Sequence, residues 1–185
     1  PLIYIDSLVH QIIQKIKVDS TDEIKVIEDI NIKVDEVKNI IDDFNQVYIK
    51  NGNIPDLNNP FKINLFNTFH SYIQPENFFP RKHRLTNDDR GSFAEILKSS
   101  SKGQVSFSIT NPGHIRGNHF HTRKIERFSV LDGEAEINIK KIGSNKIHTF
   151  NLSGKTPCYV DMQVWNTHNI KNIGDKNLIT LFLDQ

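Results

Sequence analysis

The chain has 185 residues, 23 basic and 22 acidic side chains and a formal charge of +1, so it has no basic stripe for a nucleic-acid backbone and no cluster for a charged membrane surface. Cys158 is the single cysteine, which excludes an internal disulfide and suits a reducing cytoplasm. No run approaches the roughly 20 apolar residues that span a bilayer and the N-terminus has no signal-peptide pattern, so the expected setting is cytoplasmic. The length allows one barrel of about 100 residues and a smaller helical part.

In chain order, Asp6 to Lys17 carries Ile12, Ile13 and Ile16 at helical spacing, and Val34 to Tyr48 carries Val34, Val37, Ile40, Ile41 and Phe44 in the same way. Ser7 and Asp35 are candidates for capping or first-turn positions. Asn51-Gly52-Asn53-Ile54-Pro55 and Asn58-Asn59-Pro60 then break the chain. A third helix is expected over Phe61 to Ile73, with Phe66, Phe69 and Tyr72 packing against the barrel or a further domain. The stretch from Pro80 to Asp89, with Arg81, Lys82, His83 and Arg84, reads as a solvated linker.

The most informative stretch is GHIRGNHFHTRKIERFSVLDG, residues 113–133. In an extended strand side chains alternate, which places His119 and His121 on one face and Phe120 on the other. Glu126 can rejoin that face from the next strand. Asp132-Gly133, followed by the alternating Glu134 to Ile139, reads as a hairpin turn and its return strand. Two imidazoles and a carboxylate leave a divalent ion short of a ligand, and His168, in DMQVWNTHNIKN, is the candidate fourth. His10, His70, His83 and His148 read as solvated or packed, and His114 falls on a turn beside the motif.

These residues resemble the cupin family. Gly113, His119, His121, Glu126 and Gly133 match its first motif position for position. His168 and Asn172 stand where the second motif has its last ligand and its asparagine, whereas Gln163 and Trp165 occupy places usually held by proline and glycine. A closer resemblance runs through DDRGSFAEILKS (88–99), GQVSFSITNPGHIRGNHFHTRKIERF (103–128) and NTHNIKNIGDKNLITLFL (166–183). These segments look like the C-terminal cupin half of the bifunctional capsule and O-antigen UDP-sugar epimerase-reductases that make UDP-N-acetyl-L-fucosamine.

That resemblance implies a mainly β chain, a jelly-roll barrel over 89–185, preceded by a linker at 76–88. Residues 1–75 would be a helical segment resembling the tail of an extended short-chain dehydrogenase, since Tyr4-Ile5-Asp6 is similar to that domain's late substrate-covering part. No Gly-rich loop follows a strand and no Tyr-x-x-x-Lys pair is present, so an NADPH site is not expected within the chain. The reductase half would be a partner, and a homodimer is expected, with the strand near Phe93 to Leu97 crossing between copies. The implied chemistry is epimerisation at carbon 3 of a UDP-4-keto-6-deoxy-amino sugar. Zinc would be held by His119, His121, Glu126 and His168, with iron or manganese compatible with the same ligands. Arg116 would bind the diphosphate or the enolate oxygen, and Lys124 and Asp161 are candidates for proton transfer. The alternatives are another metal-dependent cupin enzyme, an isomerase or dioxygenase, and a non-catalytic cupin that binds a sugar nucleotide or serves dimerisation.

Overall fold

A computed structural model describes residues 1–17, 23, 25–99 and 102–185; the rest of the helical segment, 18–22 and 24, lies outside it. The chain divides into two units, residues 1–80 and 81–185. Among the described residues no helix is long and apolar enough to cross a membrane.

In the first unit, α1 (Ile5–Ile16) begins one residue before its expected start, with Tyr4 in extended conformation at the cap. Ser7 therefore falls inside the helix and caps nothing. Gln11 braces α1 by exchanging two hydrogen bonds with the Ile27 backbone, at 2.8 and 2.9 Å. α2 (Val34–Phe44) has Asp35 in its first turn and passes into a π-helical turn, Asn45–Lys50, so the element expected to run to Tyr48 widens at its end. In α3 (Pro60–Ser71) the Asn59 Oδ1 accepts from the Lys62 N–H at 2.9 Å, satisfying one of the orphan donors of the first turn. α4 (Pro75–Phe78) is a single turn.

The aromatic stripe of α3 finds its partner within this unit. Phe44, 1 % exposed, meets Phe66 edge-on at 5.1 Å and Phe69 at 5.8 Å, and Tyr48 meets Phe66 at 5.3 Å. Phe44 and Tyr48 are four residues apart and stack along one face, which lets them receive the stripe.

Among the described residues the second unit has ten strands: β1 (Leu85–Asp88), β2 (Gly91–Lys98), β3 (Gln104–Thr110), β4 (Ile115–His119), β5 (Glu126–Asp132), β6 (Glu134–Lys141), β7 (Ile147–Ser153), β8 (Tyr159–Met162), β9 (Asn166–Asn172) and β10 (Leu178–Asp184). They form a six-stranded sheet in the order β1-β2-β3-β10-β5-β8 and a four-stranded sheet in the order β4-β9-β6-β7. Every pairing is antiparallel. The core draws on both sheets. Phe128, Val130, Met162 and Leu178 come from the six-stranded sheet, and Ala135, Ile137, Leu152 and Ile170 from the four-stranded one. Alternation along each strand puts these residues on the facing surfaces.

Three expectations are corrected. β1 lies inside the stretch read as linker. Its four side chains are all exposed, so no apolar alternation marks it, and it is held by backbone pairing to β2. β2 carries Phe93 to Leu97 between β1 and β3 of the same chain, which leaves β1 outermost in the sheet. Asp132-Gly133 is not a hairpin: β5 pairs with β10 and β8, whereas β6 pairs with β9 and β7. The chain crosses here from one sheet to the other. Gly133 takes φ +87° at the corner, and a Cβ there would stand 2.9 Å from the Asn177 carbonyl oxygen.

Asn172, fully buried at the end of β9, ties the far end of this unit together. Its Nδ2 donates to the carbonyls of Thr110 and Lys176, both at 2.8 Å, and its Oδ1 accepts from the Gly174 N–H at 3.0 Å. Replacing it with alanine strands buried backbone groups, each costing about 1–3 kcal/mol. An Asn172→Ala variant is expected to lose about 2–3 kcal/mol in urea unfolding. Gly133→Ala, which combines an unfavourable φ with a clash, is expected to lose about 1–3 kcal/mol in the same assay.

Candidate metal centre

β4 and β9 pair at one end of the four-stranded sheet, with Gly117 opposite Asn169 and His119 opposite His168. The register slips between Gly117 and His119. Asn118, at the slip, has φ +64°, a left-handed conformation that asparagine tolerates better than most residues. Asn169 Nδ2 donates to Asn118 Oδ1 at 2.8 Å and braces it. Gly117 itself, at φ +101°, lies so close to β9 that a Cβ would be 2.8 Å from the His168 carbonyl oxygen. His119 is thus aimed by a bulge, and His121 lies beyond the end of β4. The two histidines converge, but through a bulge and a loop rather than by simple alternation along one strand. The loop is pinned by the Trp165 N–H, which donates to the His121 carbonyl at 2.8 Å.

Trp165 has φ +63°, so the backbone keeps a conformation that glycine adopts freely even though the side chain is large. Its indole is half exposed and stacks on Phe120, with centroids 6.1 Å apart.

His119, His121, Glu126 and His168 offer ligand atoms that all lie within 4.8 Å of one another. Glu126 Oε2 is the common point: it stands 3.7 Å from His119 Nε2, 2.9 Å from His121 Nε2 and 3.0 Å from His168 Nε2. Ligands about 2.1 Å from a shared ion in a tetrahedron are about 3.4 Å apart, and the three distances bracket that value. His168 is 1 % exposed; its Nδ1 donates to the Asn166 carbonyl at 3.0 Å, and its Nε2 lies 3.0 Å from Glu126 Oε2 in a hydrogen bond that a metal ion would replace. His121 Nε2 is buried and has no aligned hydrogen-bond partner. Such an orphaned nitrogen among two further imidazoles and a carboxylate fits a divalent cation.

The electrostatics favour the protonation states that metal ligation needs. Burial, reinforced by His168, holds the His119 imidazole below its usual pKa, favouring the neutral ring. Burial alone would raise the Glu126 carboxyl, but hydrogen bonds from His168 and Lys124 outweigh it and hold the group well below the usual carboxylate range. Lys124 Nζ lies 2.9 Å from Glu126 Oε1 and 2.8 Å from Asp184 Oδ2. Burial opposes its charge, yet the bonds to Asp184 and Glu126 keep the ammonium above its ordinary pKa.

The cluster opens into a cavity of about 430 Å³ whose lining includes Arg90, Gln104, Arg116, His119, His121 and Asp184. The Arg116 side chain, 11 % exposed, is fixed by Nε donating to Thr110 Oγ1 at 3.0 Å and Nη2 donating to the Ser92 carbonyl at 3.4 Å. Asp88 lies 3.6 Å from it and pairs more closely with Arg90. Asp161 stands apart from this lining. Its carboxylate is held in a two-pronged pair by Arg127 at 2.7 and 2.9 Å, beside a different depression lined by Leu97 and Gln185. Asp184 went unnoticed in the sequence. The signal was there, because Leu178, Thr180, Phe182 and Asp184 form one face of β10, and a carboxylate at the end of that row is out of place in a plain core.

A Pseudomonas aeruginosa protein described as UDP-2-acetamido-2,6-beta-L-arabino-hexul-4-ose reductase is 32 % identical over 117 residues, covering 63 % of this chain and 31 % of its own. The capsular polysaccharide assembling protein CapF of Staphylococcus aureus superposes with a TM-score of 0.80 at 33 % identity, over 97 % of this chain and 49 % of that one. CapF bound to the inhibitor 3-isopropenyl-tropolone gives 0.82 at the same identity, over 97 % of this chain and 52 % of that one. The chain therefore spans about half the length of the CapF chains and under a third of the reductase. The Drosophila melanogaster CENP-C cupin domain, 12 % identical, matches with a TM-score of 0.50 over 85 % of this chain and 99 % of its own, a likeness of fold alone. The profile of the family described as the polysaccharide biosynthesis C-terminal domain matches residues 86–185. With its two-sheet unit and its similarity to CapF, the chain belongs to the polysaccharide biosynthesis C-terminal domain family, and its β unit is a cupin.

Proposed function

We propose that the cupin unit epimerises carbon 3 of a UDP-4-keto-6-deoxy-amino sugar during synthesis of a capsule or O-antigen precursor, with zinc as the ion held by His119, His121, Glu126 and His168. The observation that carries the reading is the convergence of three imidazole Nε2 atoms on one carboxylate oxygen, inside a cavity walled by a buried arginine. Two features of the relatives support it. The reductase named above acts on a UDP-linked 2-acetamido-hexulose, as its name says. The tropolone in the CapF complex carries adjacent carbonyl and hydroxyl oxygens, a pair that suits chelation of a divalent cation.

Epimerisation next to a ketone removes one C–H proton, holds the resulting enolate and returns a proton to the opposite face, with no net oxidation. Three neutral imidazoles and one carboxylate would leave a bound divalent ion with a charge of about +1, giving Lewis acidity toward a carbonyl oxygen. Arg116, anchored through Nε and Nη2, keeps N–H groups of its planar fork for the enolate oxygen or a diphosphate oxygen. Lys124 is a further cavity cation, held in place by two carboxylates. Asp161, paired to Arg127 away from the cavity, has no part in this scheme.

Purified protein is expected to carry about one zinc per chain by elemental analysis, and a His121→Ala variant to carry less than about a tenth of that. Iron in place of zinc would turn the assignment toward an oxygenase, and no metal in protein purified without chelator would end it.

Because imidazoles ligate only when neutral, acidification competes with the metal. His119, whose pKa is lowered, resists protonation to below its ordinary range, and Glu126 stays ionised lower still. Metal is therefore expected to stay bound at pH 7 and to leave between about pH 6 and 4, as followed by dialysis against buffers of graded pH. Release only below pH 3 would show that imidazoles are not the ligands.

In deuterium oxide, NMR is expected to show label entering carbon 3 of a UDP-4-keto-6-deoxy-amino sugar. Arg116→Met should slow that exchange by about 10²-fold or more with zinc content unchanged. Label entering at the wild-type rate in this variant would remove Arg116 from the chemistry.

A further inference from the structure

Among the charged groups of the cavity that the four ligands leave without a role are Lys124 and Asp184. Both sit beside Glu126. Asp184, near the end of β10, is the cross-strand partner of Glu126 at the start of β5. Carboxylates placed directly opposite each other on antiparallel strands repel, and here both are largely withdrawn from water, with side chains 10 and 11 % exposed. Lys124 resolves the conflict by standing between them, its Nζ 2.9 Å from Glu126 Oε1 and 2.8 Å from Asp184 Oδ2.

The division of Glu126's two oxygens is the informative detail. Oε1 is taken by the ammonium, and Oε2 alone meets the Nε2 atoms of His119, His121 and His168. We propose that Asp184 is a positioning residue for the metal centre: by sharing the Lys124 ammonium with Glu126, it holds the Glu126 carboxylate in a one-oxygen mode, with Oε2 turned to the imidazoles. The inference rests on the reading that the cluster holds a divalent metal.

The charges decide the direction of the effect. With Asp184 in place, one ammonium is divided between two carboxylates. Without its charge, the ammonium pairs with Glu126 alone, neutralises the ligand more fully and is free to drag the carboxylate out of register. Asp184 is not itself among the ligands: Oδ2 is bound to Lys124, and its atoms lie outside the group that comes within 4.8 Å. Its Oδ1 is buried without an aligned hydrogen-bond partner, and the carboxyl faces Glu126 as well as Lys124.

The test is a double-mutant cycle on zinc affinity, measured by competition with a chromophoric chelator on the whole chain. Asp184→Asn is expected to weaken zinc about 10–100-fold while Lys124 is present, and about threefold or less in a Lys124→Met background. Cobalt-loaded Asp184→Asn should also differ from the cobalt-loaded wild type in its visible d–d bands, because a freed Glu126 changes the ligand geometry. A merely structural aspartate would move neither the cycle nor the bands. Equal loss in both backgrounds, or no loss with lysine present, overturns the proposal. So does an unchanged cobalt spectrum, which decides the matter even if Lys124→Met fails to fold by circular dichroism. A wild-type chain that takes up neither zinc nor cobalt overturns the metal reading, whereas a wild type that binds and an Asp184→Asn variant that binds as well overturn only the role of Asp184.

Discussion

A carboxylate buried between two sheets has to be compensated, and Glu126 is where this cupin meets that requirement. It belongs to the six-stranded sheet, and the imidazole that bonds it at 3.0 Å, His168, belongs to the four-stranded one. An uncompensated charge there would cost several kcal/mol. The structure surrounds it with donors instead: imidazoles on one oxygen and an ammonium on the other. The same arrangement that makes the anion tolerable inside the fold suits it to the proposed ligand role, because the groups on Oε2 are nitrogen atoms that a cation could recruit.

Holding the donors in place uses unusual backbone. Gly117, Asn118 and Trp165 all have positive φ and all lie beside a ligand in the chain or in space. For Asn118 and Trp165, the non-glycine members, such conformations typically cost about 1–3 kcal/mol each. They persist because neighbouring contacts over-determine them. Asn118 is bonded by Asn169, and Trp165 bonds the His121 carbonyl through its N–H while its own carbonyl accepts from Ile142 at 3.0 Å. The Phe120–Trp165 stack closes the outside of the same loop. Local strain thus serves to bring His119 and His121 onto His168.

Around this centre the cavity is asymmetric in charge. Arg116 and Arg90 share one carboxylate, Asp88, while Lys124 is shared by two, Glu126 and Asp184. The first group carries a net positive charge, suited to the anionic part of a nucleotide sugar. The second carries one negative charge in excess, which favours a cation beside it. The two ends of the cavity are therefore distinguished by how many carboxylates each cation faces.

Much of this was legible before the fold was known. Spacing and residue type single out His119, His121, Glu126 and His168, and the fold brings these four side chains together. The first three helices of residues 1–80 follow from apolar spacing, whereas the break read at Asn59-Pro60 proves to be the cap of the third and the single turn α4 carried no signal. The expected hairpin at Asp132-Gly133 failed because a turn signal says only that the chain reverses or bends, not which sheet the next strand joins. β1 was missed because an exposed strand held by backbone bonds leaves no pattern in its side chains. Asp184 is separated from Glu126 by 58 positions in the chain, and only the β5–β10 register makes them neighbours. The sequence by itself determined which groups can ligate and which faces are apolar, because both depend on side-chain chemistry and local period. The tertiary structure alone decided which charge faces which, because pairing between strands far apart in the chain is set by packing of the whole core and not by any local preference.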